Sequence, residues 1–181
     1  MHATLPYDSI IFDLDGTLVD TADDLTASLN HALVQLGRAT VPEESVRAMV
    51  GHGARKLLER GLAATGAMTP ELVDAGVAHF LAYYTDHICD RSRPFPGVED
   101  ALDVLEGRGL KLAICTNKPE VLALQLVAAL GWEGRFRAVK GADSQPWRKP
   151  DPRHLQDTLA AAGGRACIFV GDSRTDADTA V

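Results

Sequence analysis

Ile10-Ile11-Phe12-Asp13-Leu14-Asp15-Gly16-Thr17 decides how the rest of the chain is read. An apolar run with β-branched residues stops at two carboxylates two positions apart, followed by a glycine. A buried strand of a parallel sheet looks like this when it delivers acidic groups to its C-terminal edge. In open α/β sheets that edge is where ligands bind. The strand period of two aims Asp13 and Asp15 to one side, and Gly16 permits a sharp exit. Neighbouring carboxylates repel unless a cation or a shared proton relieves them. The pair therefore asks for a divalent metal, a general acid, or both. Asp-Gly is also a common turn pair, so the stretch alone reads equally well as a strand ending in a polar turn.

Beyond it, the pattern is helical for some seventy residues. Leu25, Leu29, Ala32, Leu33 and Leu36 recur at helical spacing, with Thr21 or Asp23 as cap and Gly37 as stop. Pro42-Glu43-Glu44 opens a short helix that Gly51-His52-Gly53 breaks, and Leu57, Leu58, Leu62 and Ala63 mark another that fades at Gly66. Thr69-Pro70-Glu71 is a strong helix start, a capping threonine with proline at the first position. Its apolar stripe runs through Phe80 and Tyr84 towards Cys89. Residues 20–92 therefore predict a small helical domain inserted into a core made of 1–19 and 93–181.

From Pro94-Phe95-Pro96-Gly97 onward, helix and strand alternate. A short helix around 101–105 precedes a strand over 111–115 that ends at Thr116-Asn117. A helix over 119–130, a short strand near 136–139, and a helix from Asp151-Pro152 to Gly163-Gly164 follow. The last strand, 166–170, ends at Gly171-Asp172. This βαβαβ order predicts an α/β fold with a doubly wound, Rossmann-like parallel sheet. The sequence stops at Val181, in what reads as a helix after Asp178. The expectation is a fragment whose last strand exposes an edge.

Composition narrows the chemistry. The 181 residues can bury a proper core. Their net charge of −7, with no basic run, argues against a general nucleic-acid binder. Cys89, Cys115 and Cys167 lack metal-ligand spacing, and the last two lie in apolar runs that predict buried thiols in a reducing compartment. Neither a signal peptide nor a membrane span is read, so the expected location is cytoplasmic, without a membrane partner.

A parallel sheet brings Asp13 with Asp15, Thr116 with Asn117, and Asp172 with Asp176 to one edge, and a loop adds Lys149. Thr116 and the amides of the helix behind it could seat an anion, or merely cap that helix. Lys149 could neutralise an anion and a carboxylate together, although an isolated lysine is usually solvated. Lys118 also precedes a proline, and residue type does not choose between the two. Asp172 follows a strand and Gly171 as Asp13 follows its own strand. Oxygen-rich sites of this kind suit Mg²⁺. Asp172-Ser173 could otherwise cap a helix, with Asp176 and Asp178 as favourable charge at its start. Together the groups specify an anion site containing a metal. At such a site a carboxylate can attack phosphorus, and a second can protonate the leaving alkoxide and then deprotonate water.

In this order, FDLDGT, CTNK, RKPDP and GDSRTD resemble the four motifs of the haloacid dehalogenase superfamily of phosphohydrolases, and the resemblance covers essentially the whole chain. It implies that Asp13 is the nucleophile and Asp15 the general acid/base. It also implies that Asp13, the backbone carbonyl of Asp15 and Asp172 bind Mg²⁺, with Asp176 in support. Thr116, Asn117 and Lys149, rather than Lys118, would hold phosphate. The helical insert is similar to the family's cap, which closes over the site and selects substrates; His52 and Arg55 would then be candidates for a substrate carboxylate. Tyr83, Tyr84 and Trp147 read as packing residues.

Within the superfamily, GHGARKLLER and GADSQPWRKPDP are most similar to phosphoglycolate phosphatases. That implies hydrolysis of 2-phosphoglycolate through an aspartyl-phosphate. The chain departs from the pattern at Ala142, where a second glycine is expected, and in lacking the family's last strand. The competing expectations are a phosphatase or mutase for another small phosphorylated metabolite, such as a sugar phosphate, and a non-catalytic phosphate-binding domain. Asp15 beside Asp13 argues against the last, because a binder needs no acid there.

Overall fold

The computed structural model describes residues 6–47 and 53–180. In chain order, β1 (Ser9–Phe12) and β2 (Val19–Asp20) lead into the helices α1 (Ala22–Gln35), α2 (Glu43–Arg47), α3 (Ala54–Thr65) and α4 (Pro70–Asp86). Then come β3 (Arg93–Pro94), α5 (Val98–Gly107), β4 (Lys111–Cys115), α6 (Glu120–Ala129), β5 (Ala138–Lys140), α7 (Pro152–Ala161), β6 (Cys167–Val170) and α8 (Arg174–Thr179). The described residues cluster into two compact units, those up to Val19 with those from Pro94 onward, and those between Asp20 and Arg93.

The first unit holds a four-stranded sheet in the order β5-β4-β1-β6, with every described pairing parallel. The doubly wound architecture read from the sequence is thus present. Strand β1 is buried throughout because it pairs on both sides, Phe12 standing opposite Ile114 and Val170. One sheet face, with Ile11, Ala113 and Cys115, packs against Leu155, Leu159 and Ala162 in and just beyond α7. At the N-terminal end of the sheet, Asp8 ties the strands together. Its carboxylate accepts the Arg165 amide at 2.9 Å, and its carbonyl accepts the Lys111 amide at 3.0 Å. Amide bonds to the carboxylate, that of Arg165 foremost and that of Ala166 beside it, hold the Asp8 carboxyl well below its ordinary range.

The structure departs from the sequence reading in places. Strand β5 begins later than residue 136. Helix α8 starts at Arg174, well before Asp178, because Ser173 caps it. Cys115 is buried as expected, but Cys167 is only half-buried. The reason is that β6 is an edge strand, which also leaves Ile168 and Val170 exposed. Strands β2 and β3, two residues each, pair as a separate small sheet and are too short to leave a periodic signal. Among the described residues, no helix is long and apolar enough to cross a membrane.

In the second unit α1 packs on α3 and α4 around Leu29, Leu33, Leu58, Leu62, Phe80 and Tyr84. Thr69 caps α4, accepting the Leu72 amide, with Pro70 behind it. Thr21 stands at the start of α1 without making a cap bond, and its buried hydroxyl has no partner. Tyr83 stacks between His31 and His87, with ring centroids 4.4 and 4.1 Å away. Trp147, in the first unit, donates to Asp157 at 2.6 Å and lies under Arg153.

Asp24 closes the helical unit on itself. Buried in α1, it accepts the amides of Arg91 and Ser92 at 3.0 and 2.8 Å and the Ser92 hydroxyl at 2.6 Å. Asp24→Ala should therefore lower unfolding free energy by about 2–4 kcal/mol, since it strands buried donors. Chemical denaturation measures this, and an unchanged midpoint would mean water replaces the carboxylate without loss.

Candidate active site

Parallel register sets β1, β4 and β6 side by side, so the residues that follow them share one edge of the sheet. The Asp13 amide continues the ladder to Val170 at 2.9 Å, and the Thr116 amide does so to Lys140 at 3.0 Å. Asp13 is buried: one carboxylate oxygen accepts the Leu14 amide at 2.7 Å, and the other meets Lys149 Nζ at 2.8 Å. The same ammonium lies 2.6 Å from Asp176 Oδ1. Asp176 Oδ2 accepts the Ser173 amide and hydroxyl at 3.0 and 2.5 Å, closing a capping box on α8. The helix-start reading of Asp176 therefore holds, and the same carboxylate also faces a buried lysine.

Asp172 is exposed, and its Oδ1 accepts the Thr17 hydroxyl at 2.8 Å. Gly16 has φ of +85°, and a Cβ there would stand 2.6 Å from Asp172 Oδ2. A side chain would be strained and would displace that carboxylate.

Asp13, Asp172 and Asp176 each offer an oxygen within 4.8 Å of the others. Asp15 is not in this trio. Its Oδ1 is held by Lys118 Nζ at 2.9 Å, a contact between largely buried groups. Four carboxylates thus face two ammoniums, Lys118 and Lys149. The excess negative charge and the all-oxygen donor set are what a hard divalent cation matches.

Burial pushes the Asp13 carboxyl up to about 6; Lys149 opposes this, and Asp176 and Asp15 add to it. Burial also works against the Lys149 charge, but Asp13 and Asp176 hold that ammonium above its ordinary value. Beside them the Cys115 thiol is pushed up to about 12 by burial, so it is no nucleophile at neutral pH.

The expected anion seat at α6 is partly occupied. The Glu120 amide donates to Asp143 at 2.7 Å, and the Lys118 amide to Thr116 Oγ1 at 3.2 Å. Accepting that amide leaves the buried Thr116 hydroxyl its own proton to donate. Asn117 Nδ2 donates to the Lys149 carbonyl at 3.1 Å, tying the end of β4 to the lysine loop, while its buried Oδ1 has no partner. His154 stands behind Thr116, its Nε2 3.3 Å from the Thr116 carbonyl. Ala142, where a glycine was expected, donates its amide to the Lys118 carbonyl at 3.0 Å.

A family model described as haloacid dehalogenase-like hydrolase matches residues 10–181. The chain belongs to that family. This haloacid dehalogenase-like hydrolase is 49% identical over 174 residues to a phosphoglycolate phosphatase of Mesorhizobium japonicum, a match spanning 94% of this chain and 77% of the relative. A phosphoglycolate phosphatase of Caulobacter vibrioides is 48% identical over 172 residues, spanning 93% and 73% of the two chains. Among solved structures, one from Haemophilus somnus, described as a predicted phosphoglycolate phosphatase, superposes with a TM-score of 0.89 at 30% identity. That match covers 98% of this chain and 82% of the other. The chain is accordingly an enzyme, a hydrolase of the phosphoric monoester class.

Of the sequence candidates, Asp13, Lys149, Asp172 and Asp176 meet in this hydrolase, with Thr116, Asn117 and Asp15 around them. Arg55 lies in α3, half-exposed and paired with Asp74 at 2.5 Å. His52 falls outside the described residues. Sequence reasoning weighed Lys118 and set it aside for Lys149, and it gave Thr17 no role. Nothing in the local sequence distinguishes a buried Lys118 from a solvated one.

The sign of the Asp13 shift makes a prediction. Its value in the fold lies above the ordinary 3.8. Its contribution to stability is therefore full below that ordinary value and lost as pH rises through about 6. A cation bound to the carboxylate must compete with that proton. The gain in Tm from added Mg²⁺ should be small near about pH 5 and grow towards about pH 7.5. A gain independent of pH would take Asp13 out of the cation site.

Proposed function

We propose that this hydrolase cleaves 2-phosphoglycolate to glycolate and phosphate, with Mg²⁺ as cofactor and an aspartyl-phosphate on Asp13. The observation that carries the reading is the buried Asp13–Lys149–Asp176 array beside an excess of carboxylates. The names of the relatives support the substrate.

An oxygen of Asp13 attacks phosphorus, and the bond from phosphorus to the glycolate oxygen breaks. Asp15 gives its proton to that leaving oxygen. In the second half, Asp15 takes a proton from water, whose oxygen attacks phosphorus and releases Asp13. Lys149 offsets the repulsion between nucleophile and phosphate. The Thr116 hydroxyl donates a hydrogen bond to a phosphate oxygen. Asn117 holds the lysine loop through its bond to the Lys149 carbonyl.

Mg²⁺ would be held by Asp13, Asp172 and the backbone carbonyl of Asp15, and would supply further charge stabilisation. Asp176 is a supporting residue that shares Lys149 with Asp13 and caps α8 through Ser173.

The test is phosphate release from 2-phosphoglycolate, with the Asp13→Asn protein as blank. Release should need Mg²⁺ and vanish in Asp13→Asn while the melting transition persists. Turnover of 4-nitrophenyl phosphate without 2-phosphoglycolate would keep the chemistry and discard the substrate. Asp15→Asn should cost turnover about 10²- to 10⁴-fold with little change in the Mg²⁺ requirement. An equal loss of both would reassign Asp15 to the metal.

A further inference from the structure

We infer that Lys118 is a positioning residue for Asp15, holding the carboxylate where it can exchange protons with the reacting groups. The inference rests on the acid–base reading of Asp15 proposed above. Burying a lysine is costly unless its charge is paired, and Lys118 is buried with its ammonium 2.9 Å from Asp15 Oδ1. Its backbone is fixed on both sides. The amide donates to Thr116 Oγ1 at 3.2 Å, and the carbonyl accepts the Ala142 amide at 3.0 Å. The ammonium is thus presented from a rigid turn rather than from a wandering side chain.

This pairing accounts for a feature of the acidic edge. Asp13 and Asp15 leave the same strand end, yet only Asp13 joins Asp172 and Asp176. Lys118 draws the Asp15 carboxylate to itself and keeps it out of the trio. With Oδ1 taken by Lys118, proton exchange falls to Oδ2. The two buried lysines then divide the labour: Lys149 serves the nucleophile, and Lys118 serves the group two residues on.

The test compares Lys118→Met, Lys118→Arg, Asp15→Asn and the double variant Asp15→Asn/Lys118→Met on 2-phosphoglycolate and 4-nitrophenyl phosphate. The generic ester frees the outcome from the choice of natural substrate. Lys118→Met should lower kcat by about 10- to 100-fold with KM little changed, and Lys118→Arg should lose less. Added to Asp15→Asn, the lysine change should cost almost nothing more, because residues acting as one unit are not additive. The rise in Tm on adding Mg²⁺ should survive in Lys118→Met, since the trio keeps its carboxylates.

Losses that multiply in the double variant would show Lys118 acting apart from Asp15, and so would a raised KM at constant kcat; either overturns the inference. Full turnover in Lys118→Met beside a crippled Asp15→Asn overturns it alone. Full turnover in Asp15→Asn overturns the acid–base reading and the positioning role with it. Should Lys118→Met not fold, a kcat-selective loss in folded Lys118→Arg supports the inference, and unchanged kcat there overturns it.

Discussion

The site depends on one ammonium shared between two buried carboxylates. Lys149 lies within 2.8 Å of Asp13 and 2.6 Å of Asp176, and all three are removed from water. Each charge alone would be untenable at that depth, so the three are present together or not at all. The sharing is incomplete by design, because one positive charge cannot satisfy two negative ones. Burial therefore prevails at Asp13, whose carboxyl is pushed up to about 6 although Lys149 opposes it. It is the buried nucleophile candidate, rather than any peripheral group, that is left short of a counter-charge.

The sheet brings the strand ends of this site together once the strands pair. Phe12, Ile114 and Val170 stand in register, so whatever follows them lies on one edge. The continuous burial of β1 and β4 was legible because each strand is an apolar run ending in a polar pair. The convergence of Asp13, Thr116 and Asp172 could be read for the same reason: it requires only parallel strands, not a knowledge of side-chain packing. The helical unit was equally open to reading, since the stripe from Val73 to Tyr84 and the Thr69-Pro70 start are local signals.

What the sequence hid is decided by partners distant along the chain. Lys118 and Lys149 both precede proline, and the motif resemblance selected Lys149 alone. Only the fold reveals that Lys118 spans 103 positions to reach Asp15. Thr17 reaches Asp172 across 155 positions in the same manner. Cys167 looked as apolar as Cys115, but burial on a strand depends on its place in the sheet, and β6 is an edge. Thr21 had the right residue type for a cap, yet its hydroxyl lies buried without a partner. Residue preference states what a side chain can do, and the backbone decides whether it does it.

Two lysines on two loops solve a problem that one could not. Asp13 and Asp15 emerge together, and a single cation between them would draw both carboxylates to one point. In the proposed mechanism Asp13 approaches phosphorus on one side, while Asp15 reaches the leaving oxygen and later the water. Lys149 is delivered by the loop before α7, and Lys118 by the turn before α6, so the two carboxylates are pulled by charges with separate anchors. Asn117 joins those anchors through the Lys149 carbonyl, and Ala142 fixes the second through the Lys118 carbonyl. The positions of the two carboxylates are therefore set by the loop before α7 and by the turn after β4. Their own strand only brings them to the edge.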